Sequence, residues 1–390
     1  MTDIISSSSG FFLFFRNRRR DCGRTFTYLF SMSKPRLIAF YLPQYYPTPE
    51  NDQWWGKGFT EWTNVGRAKP LFPGHYQPKV PTDLGYYDLR LPQVREEQAK
   101  LAAEAGIEGF CYWHYWFGNG KRLLSEVFTE VVQTGKPDFP FCLCWANHSW
   151  YAKTWDPKTP DKLLAEQKYL GDEDYKMHFM ALLPAFKDRR YMTVNGKLIF
   201  GVFAPQRFPD FVRFKQVWNA LALEHGLSGF YFYALNRVPE AEKQLYKSGY
   251  DSIATDCVDH RLQNQSKASI YFNGILRRLR IPRPTNYKSY CKDFLKNYIP
   301  STTNHPCIYP NFDHAPRSGC RGIILTNSTP KNWYDFLKKV LDVTKNRYDE
   351  DNLIFIKAWN EWGEGNYMEP DIKYGSGFIT YTKKALNESI

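Results

Sequence analysis

The stretch "LIFIKAWNEWGEGNYMEPD", residues 353–371, guides the interpretation of the whole chain. It opens with an apolar run that shows no polar alternation, which predicts a strand buried on both faces. The following loop carries Trp359, Glu361, Trp362 and Glu364. A buried strand that ends in acids and indoles is typical of a parallel sheet with its functional groups in the loops after the strands.

Seven similar runs precede this one, and polar segments with helical spacing separate most of them. Strands that alternate with helices predict a parallel sheet with helices packed on it. The eight runs are residues 36–44, 107–116, 139–147, 198–205, 228–235, 250–256, 305–313 and 352–361. The predicted helices are Asp88–Ala105, Lys121–Thr134, Asp172–Phe186, Asp210–His225, Pro239–Lys247 and Lys331–Asn346.

We therefore expect an α/β fold: a single (β/α)8 TIM-type barrel with long βα loops and a basic insertion. A doubly wound open sheet is the alternative, but no G-x-G-x-x-G follows any strand. The barrel is predicted to occupy residues 34–390, with the insertion at about 259–300. Residues 1–33 show no sustained period and are expected to be a disordered basic leader, in which Met32 is an alternative start.

The net charge of +12 is confined to two segments. Residues 1–36 carry a net +5 and residues 259–300 a net +7, so the rest of the chain is neutral. A neutral body gives no basis for a nucleic-acid partner. A solvated charge run is the ordinary explanation of such a segment, and contact with an anionic membrane surface is the alternative.

The sequence indicates a cytoplasmic protein, with contact at the inner face of the membrane as the alternative. The longest apolar run near the start, residues 11–15, is five residues long, whereas a membrane span needs about 20. The arginines follow this run, which is the reverse of a secretory signal. No C-x-x-C pair and no metal-ligand spacing occurs, so we expect buried thiols, no metal and no cofactor.

Aromatic, amide and acidic side chains collect at the predicted carboxyl ends of the strands. Such a mixture suits a carbohydrate, because ring C–H groups pack on aromatic faces while hydroxyls need planar hydrogen-bond partners. Packing in the core is the alternative for each tryptophan alone. The predicted substrate-binding residues are Tyr41, Gln44, Trp55, Glu61, Trp62, Asn64, His114, Tyr115, Trp116, Trp145, Asn147, Asn236, Asp313, Asn360, Trp362 and Glu369.

Glu361 and Glu364 are the predicted catalytic pair. Glycosidic chemistry needs one carboxyl group that protonates the departing oxygen and a second that acts as base or nucleophile. Two acids three residues apart after a strand can face one cavity in different environments. Burial would raise one pKa and hydrogen bonds would keep the other group ionised. The alternative is that both acids are surface charges.

The chain resembles the WbsX-like, glycoside hydrolase family 99-like proteins that are encoded with bacterial surface-polysaccharide genes. The resemblance covers about residues 34–371. It rests on "AFYLPQYYPTPENDQWWGKGFTEWTNV", "QPKVPTDLGYYDLR", "GIEGFCYWHYWF", "FCLCWAN" and "KAWNEWGEGNYMEPD". The family is similar to endo-α-mannosidases with a (β/α)8 barrel, so the resemblance implies an oligosaccharide or polysaccharide substrate.

The resemblance also implies roles for the two acids. The related signature reads Asn-Glu-Trp-His-Glu-Gly, and residues 360–365 match it except at Gly363. By this resemblance Glu361 deprotonates the sugar 2-hydroxyl, which forms a 1,2-anhydro sugar, and Glu364 is the general acid and then the base. Configuration would be retained. A second departure is His148, because the loop after the third strand usually reads Trp-Ala-Asn-Glu.

Three functions remain open at this point. The first is a retaining glycosidase or transglycosidase acting on a surface polysaccharide or its precursor. The second is a glycosyltransferase of lipopolysaccharide or O-antigen assembly that uses an activated sugar donor. The third is a barrel that binds glycans without catalysis.

Overall fold

A computed structural model describes residues 35–152, 160–258, 267–345, 347 and 350–389. Eight parallel strands form a closed barrel, because the first strand pairs with the last and the third pairs with the fourth. This confirms the predicted (β/α)8 fold. The strands are β1 Arg36–Tyr41, β2 Ile107–His114, β3 Phe141–Trp145, β4 Lys197–Val202, β5 Phe230–Asn236, β6 Ser252–Thr255, β7 Asn304–Ile308 and β8 Leu353–Ile356.

Helices surround the barrel and line its mouth. They are α1 Pro49–Trp55, α2 Glu61–Arg67, α3 Pro92–Ala105, α4 Glu126–Thr134, α5 Asp172–Phe186, α6 Phe211–Glu224, α7 Glu242–Lys247, α8 Lys267–Arg278, α9 Tyr287–Asn297, α10 Ala315–Ser318, α11 Pro330–Thr344 and α12 Gly377–Asn387. Short 3-10 turns cover Pro205–Arg207, Pro239–Ala241, Gly319–Arg321 and Trp362–Glu364.

Short strands complete the loops. Thr193–Val194 pairs antiparallel with β4, and Trp150–Ala152 pairs antiparallel with Lys162–Ala165. Thr285–Asn286 pairs in parallel with Leu325–Thr326. Asn360–Glu361 pairs antiparallel with Asn366–Tyr367, directly after β8.

Side chains fill the barrel interior because successive strand residues point to opposite faces. Phe40 packs inside against Phe355, with ring centroids 5.9 Å apart. Its neighbour Tyr41 points outward to α3, where its hydroxyl donates to Gln98 Oε1 at 2.7 Å. This alternation decides which residues at the strand ends can reach a site at the barrel mouth.

The predicted helices all exist, with shifts of a few residues at their ends. Asp172–Phe186 matches its prediction, whereas the predicted Asp88–Ala105 begins at Pro92. Helices α1 and α2 were not predicted, and both lie in the long loop after β1. That loop is rich in glycine, proline and aromatic residues, so it has no sustained helical period.

The basic segment at about 259–300 contributes a regular helix to the barrel. In α9, Tyr287, Tyr290 and Phe294 are buried against β7 and α11. The second half of this basic segment is therefore part of the repeating pattern of strands and helices. The expected leader 1–33 and residues 259–266 lie outside the described residues. Over the part of the chain that is described, no helix combines the length and apolar character needed to cross a bilayer.

Candidate active site

A tight hairpin after β8 presents the predicted acid pair. Glu361 ends one short strand, the 3-10 turn Trp362–Glu364 follows, and Gly365 reverses the chain with φ +53°. A positive φ favours glycine, because other residues are strained in that conformation. The hairpin places both carboxyl groups on the mouth of the barrel, with Glu361 only 5% exposed.

The two acids have opposite pKa shifts. Their carboxyl groups are close enough for each to affect the pKa of the other. Burial, followed by the charge of Glu364, raises the pKa of Glu361 to about 7. Burial also acts to raise the pKa of Glu364, but the positive charge of Arg317 leads the effects that lower it to about 2. One carboxyl group therefore keeps its proton up to about neutral pH, whereas the other stays charged down to strongly acidic pH.

Arg317 joins three loops at the barrel mouth. Its Nη1 donates to Glu364 Oε1 at 2.5 Å, and its Nε donates to Glu61 Oε2 at 3.0 Å. A Cβ at Gly363 would lie 2.0 Å from Glu61 Oε2 and 3.2 Å from Arg317 Nε. The departure from the related signature at Gly363 thus creates the space that the Glu61 and Arg317 pair occupies.

An indole, a lysine and a phenol complete the surroundings of Glu361. Trp113 Nε1 donates to Glu361 Oε1 at 2.7 Å. Lys357 is buried, lies 5.6 Å from the Trp113 ring, and has its pKa raised despite burial because Asp256 and Glu361 are near it. Tyr115 is buried beside the acids, and burial together with the charge of Glu361 raises its pKa.

Several predicted binding residues hold the hairpin in place instead of facing the mouth. The side chain of Asn360 accepts from Leu42 N at 2.7 Å and donates to Leu42 O at 3.1 Å. Tyr45 donates to Asn360 O and accepts from Trp362 N. These bonds fix the loop after β8 to the loop after β1.

Glu369 is a buried acceptor for three donors. Trp362 Nε1 and Gln98 Nε2 each donate to it at 2.6 Å, and the Tyr87 hydroxyl donates at 2.9 Å. Burial outweighs these bonds and raises the pKa of Glu369 to about 7. Because its bonds are made within the protein and it is 1% exposed, Glu369 is a support of the hairpin.

Asp313 likewise supports the site from below. It accepts from Gln77 Nε2 at 2.6 Å and contacts His75 Nε2 at 2.8 Å. Its backbone N donates to Glu364 O at 2.7 Å. The loop after β7 therefore fixes the position of Glu364 through the backbone, while Arg317 in the same loop contacts its carboxylate.

Five predicted binding residues lie away from the acids, on the outer side of the barrel wall or in its loops. His114 contacts His178 of α5 at 2.7 Å, one residue beyond the inward Trp113. Trp116 stacks on the same histidine at 4.6 Å, and Trp145 donates to Trp116 O. Asn147 bridges to Ala204, and Tyr41 bonds Gln98 as described. The polar atoms of each of these side chains have hydrogen-bond partners within the fold.

The remaining predicted residues border the mouth or its walls. Trp55 is 45% exposed at the end of α1, and Trp62 packs 5.7 Å from Trp362. Gln44 and Asn64 are partly exposed. Asn236 is buried at the end of β5, where its Nδ2 has no hydrogen-bond partner within the described parts of the chain.

Sequence reasoning missed Arg317 and Lys357 and left Trp113 out of the binding set. Arg317 lies in the loop after β7, only four residues after Asp313, so the rule that functional groups follow the strands could have found it. Within the described ranges, no group of three or more His, Cys, Asp or Glu side chains could hold a metal ion.

Comparison with solved structures supports the fold. A protein described as "Glycoside hydrolase-like protein" matches with a TM-score of 0.57 at 12% identity, over 93% of this chain and 97% of that one. The GH99 endo-alpha-mannosidase from Bacteroides thetaiotaomicron matches with a TM-score of 0.52 at 13% identity, over 91% and 97%. At these identities the likeness concerns the fold alone.

Relatives in sequence lead to the family. "Uncharacterized protein WxcX" of Xanthomonas campestris pv. campestris strain B100 is 33% identical over 366 residues, which is 90% of this chain. The protein of the same name in strain ATCC 33913 gives the same figures. The chain spans about half the length of these relatives. A family model described as "Glycosyltransferase WbsX" matches residues 37–382, so the chain belongs to the WbsX family, as the sequence motifs indicated.

Proposed function

We propose that this chain is a carbohydrate-active enzyme that cleaves or transfers a glycosidic bond with retention, using Glu361 and Glu364. The observation that carries the proposal is the contact of two carboxyl groups with opposite pKa shifts at the mouth of a barrel. Paired acids whose environments separate their pKa values are typical of acid and base catalysis on sugars. The substrate is an oligosaccharide or polysaccharide, in keeping with the family.

In the site without substrate, the neighbouring charges favour a proton on Glu361 over one on Glu364. Arg317 and His314 lie 2.5 Å and 3.7 Å from Glu364 Oε1, so this carboxylate is held ionised. Glu361 faces the indole of Trp113 and the buried Lys357, and its burial favours the neutral acid. This assignment exchanges the roles that the family resemblance implies.

The chemistry then follows in two steps. Glu361 donates its proton to the departing glycosidic oxygen while the C1–O bond breaks. Glu364 accepts the proton of the 2-hydroxyl, whose oxygen bonds to C1 and forms the 1,2-anhydro sugar. In the second step a water or an acceptor hydroxyl opens that ring at C1 and gives its proton to Glu361, while Glu364 returns a proton to O2. Two inversions at C1 give net retention.

Leaving-group dependence tests both the pair and the roles. The probes are aryl α-mannosides with a dinitrophenyl group, which departs without a proton, and with a methylumbelliferyl group, which needs one. We expect Glu361→Gln to lose about 10²–10⁴-fold in rate on the poor leaving group and little on the good one. Glu364→Gln is expected to lose activity on both. The reverse pattern would support the roles implied by the resemblance, and full activity in both variants would contradict the proposal.

A glycosyltransferase is the second candidate, and the family description favours it. It would use the same acids on an activated donor. Consumption of a sugar nucleotide or lipid-linked sugar, without hydrolysis of any glycan, would favour this candidate. Binding of glycans without either reaction would favour a non-catalytic barrel, in which substitution of Glu364 changes affinity alone.

Contact with an anionic membrane surface is a further part of the proposal, and α8 supports it. Tyr271, Ile275 and Leu279 follow one another at intervals of four residues and are 74%, 40% and 62% exposed. Arg278 and Arg280 are exposed beside them. An apolar helix face flanked by arginines can lie in the interface of an anionic bilayer.

A further inference from the structure

Three basic side chains converge on the ring of Phe203, directly after β4. The imidazole of His148 lies 5.1 Å from that ring, Lys357 Nζ lies 5.7 Å from it, and the guanidinium of Arg237 lies 5.8 Å from it. They come from the loop after β3, the end of β8 and the loop after β5. The barrel therefore brings together two cations and a neutral imidazole that are distant in sequence.

This cluster is adjacent to the proposed catalytic pair. The ring of Phe203 packs edge-on against Trp113 with centroids 5.4 Å apart, and Trp113 Nε1 bonds Glu361 at 2.7 Å. Lys357 Nζ lies 5.6 Å from the Trp113 ring as well. A ligand bound at Glu361 therefore has the basic cluster beside it, separated by one indole.

Positive charge dominates the surroundings of His148. Burial, followed by the charges of Arg207, Arg237 and Lys357, lowers its pKa to about 4. Its Nδ1 is buried and has no hydrogen-bond partner among the residues that the structure describes. One carboxylate also lies beside the cluster: Asp256 is 3.9 Å from Lys357 Nζ and accepts a hydrogen bond from the Tyr309 hydroxyl at 2.6 Å.

We propose that His148, Arg237 and Lys357 form a subsite for an anionic group, a phosphate or a carboxylate, carried by the sugar or by its leaving group. The proposal rests on the proposed function and narrows its substrate to a charged glycan or a glycosyl phosphate. A guanidinium and an ammonium supply the charge-assisted donors that such groups bind, and the imidazole can supply a neutral N–H donor. The family that the sequence resembles usually has an acid at the position of His148. An acid would repel an anion, whereas a histidine is compatible with a charged ligand.

Binding of inorganic phosphate tests the subsite without requiring turnover. The signal is the histidine ring resonance of His148 in NMR spectra, assigned with His148→Gln. We expect phosphate to shift this resonance and to raise the pKa of His148, because an anion stabilises the imidazolium. Arg237→Gln is expected to weaken phosphate binding at least about ten-fold, since a charge-assisted bond contributes about 1.5–3 kcal/mol. Arg213→Gln, an exposed arginine paired with Asp172, is the control and should bind as the wild type does.

A second pair of variants separates charge from shape. His148→Glu should abolish phosphate binding, whereas His148→Gln should keep it within a few-fold, and circular dichroism checks that each variant is folded. Equal binding by the two variants, or an unshifted His148 resonance in phosphate, would overturn the proposal.

Competition identifies the source of the anion. Displacement of phosphate by mannose 1-phosphate indicates a glycosyl phosphate, and displacement by glucuronate indicates an acidic sugar. Displacement by neither sugar would overturn the proposal. Phosphate binding in a protein that cleaves or transfers no glycosidic bond would instead contradict the proposed function while leaving the subsite standing.

Discussion

Arg317 binds the carboxylates of Glu61 and Glu364 at once, although Glu61 lies 256 residues earlier in the chain. The Arg317 side chain is about one quarter exposed, and the charges of these two acids raise its pKa although partial burial opposes this. It therefore stays charged and favours ionisation of Glu364 over Glu361 in the proposed catalytic pair. The charge state of the proposed active site depends on a residue that takes no direct part in the proton transfers.

Removal of this charge gives the first prediction. In Arg317→Met, Glu364 loses its main positive partner, so its pKa should rise toward that of Glu361. The acidic limb in the plot of kcat/KM against pH should then move to higher pH, into the range where the protein is stable. In this range kcat/KM should fall about ten-fold or more. Steady-state rates across pH measure it. Arg189→Met, an exposed arginine paired with Asp138 at the opposite rim, should leave the profile unchanged.

The pH dependence of the wild type is the second prediction. Glu361 has a pKa raised to about 7, so its proton is present below that pH and is lost above it. Glu364 has a pKa lowered to about 2 and stays ionised through the accessible range. We expect kcat/KM to be level in mild acid and to fall tenfold per pH unit above about 7. A basic limb that persists unchanged in Glu361→Gln would contradict this assignment.

The third prediction concerns the space at Gly363. Alanine there would place its Cβ 2.0 Å from Glu61 Oε2, so Glu61 and Arg317 must move. We expect Gly363→Ala to lower kcat more than it raises KM, because the shift disturbs the charge on Glu364. Combination with Glu61→Ala should restore part of the activity lost in the single variant. Absence of any recovery would indicate that the contact with Glu61 is not the cause.

The fourth prediction separates support from binding at Glu369. Glu369→Gln introduces an amide group where three donors converge, so one or two buried donors lose their acceptor. The free energy of unfolding should fall by about 1–3 kcal/mol in urea titrations. Trp55→Ala, at an exposed indole near the mouth, should leave stability within about 0.5 kcal/mol and act on glycan affinity instead. Unchanged stability in Glu369→Gln would contradict the supporting role.

The fifth prediction tests the membrane surface of α8. Co-sedimentation with vesicles of phosphatidylglycerol should exceed that with phosphatidylcholine, and salt should reduce it. Replacement of Arg277, Arg278, Arg280 and Arg283 by Ser should abolish the difference. Replacement of Lys100, Lys176, Arg189 and Arg213 by Ser removes the same charge from other exposed positions and should leave it intact. Equal loss in both variants would point to net charge alone.

The sequence was informative about the barrel because parallel strands buried on both faces are continuous apolar runs. Five of the eight strands lie within the predicted runs, β4, β5 and β7 each extend one residue beyond theirs, and β8 leads directly into the acid pair. Helices with a clear helical period in the sequence, such as Asp172–Phe186, were equally predictable. Helices α1 and α2 were not predictable, because packing of their aromatic residues stabilises them and the sequence there has no helical period.

The site was predicted less completely, for two physical reasons. Side chains alternate along β2, so Trp113 points inward and its neighbour His114 outward, and a rule based on strand ends alone does not separate them. A buried acid can also be satisfied within the fold, as Glu369 is by the donors around it. The place of Arg317 after β7 marks it as a candidate, but its partners cannot be predicted locally, because only the closure of the barrel brings its loop to Glu61 and Glu364.

The pairing of β1 with β8 has a consequence for synthesis on the ribosome. Arg36 lies opposite Leu353, so one edge of the first strand stays unpaired until a strand more than three hundred residues later has been synthesised. Until then the growing chain is an open sheet with two unpaired edges, which are prone to association with other chains. The last strand and the proposed reacting groups are synthesised together, so we expect no activity in a nascent chain before the barrel closes.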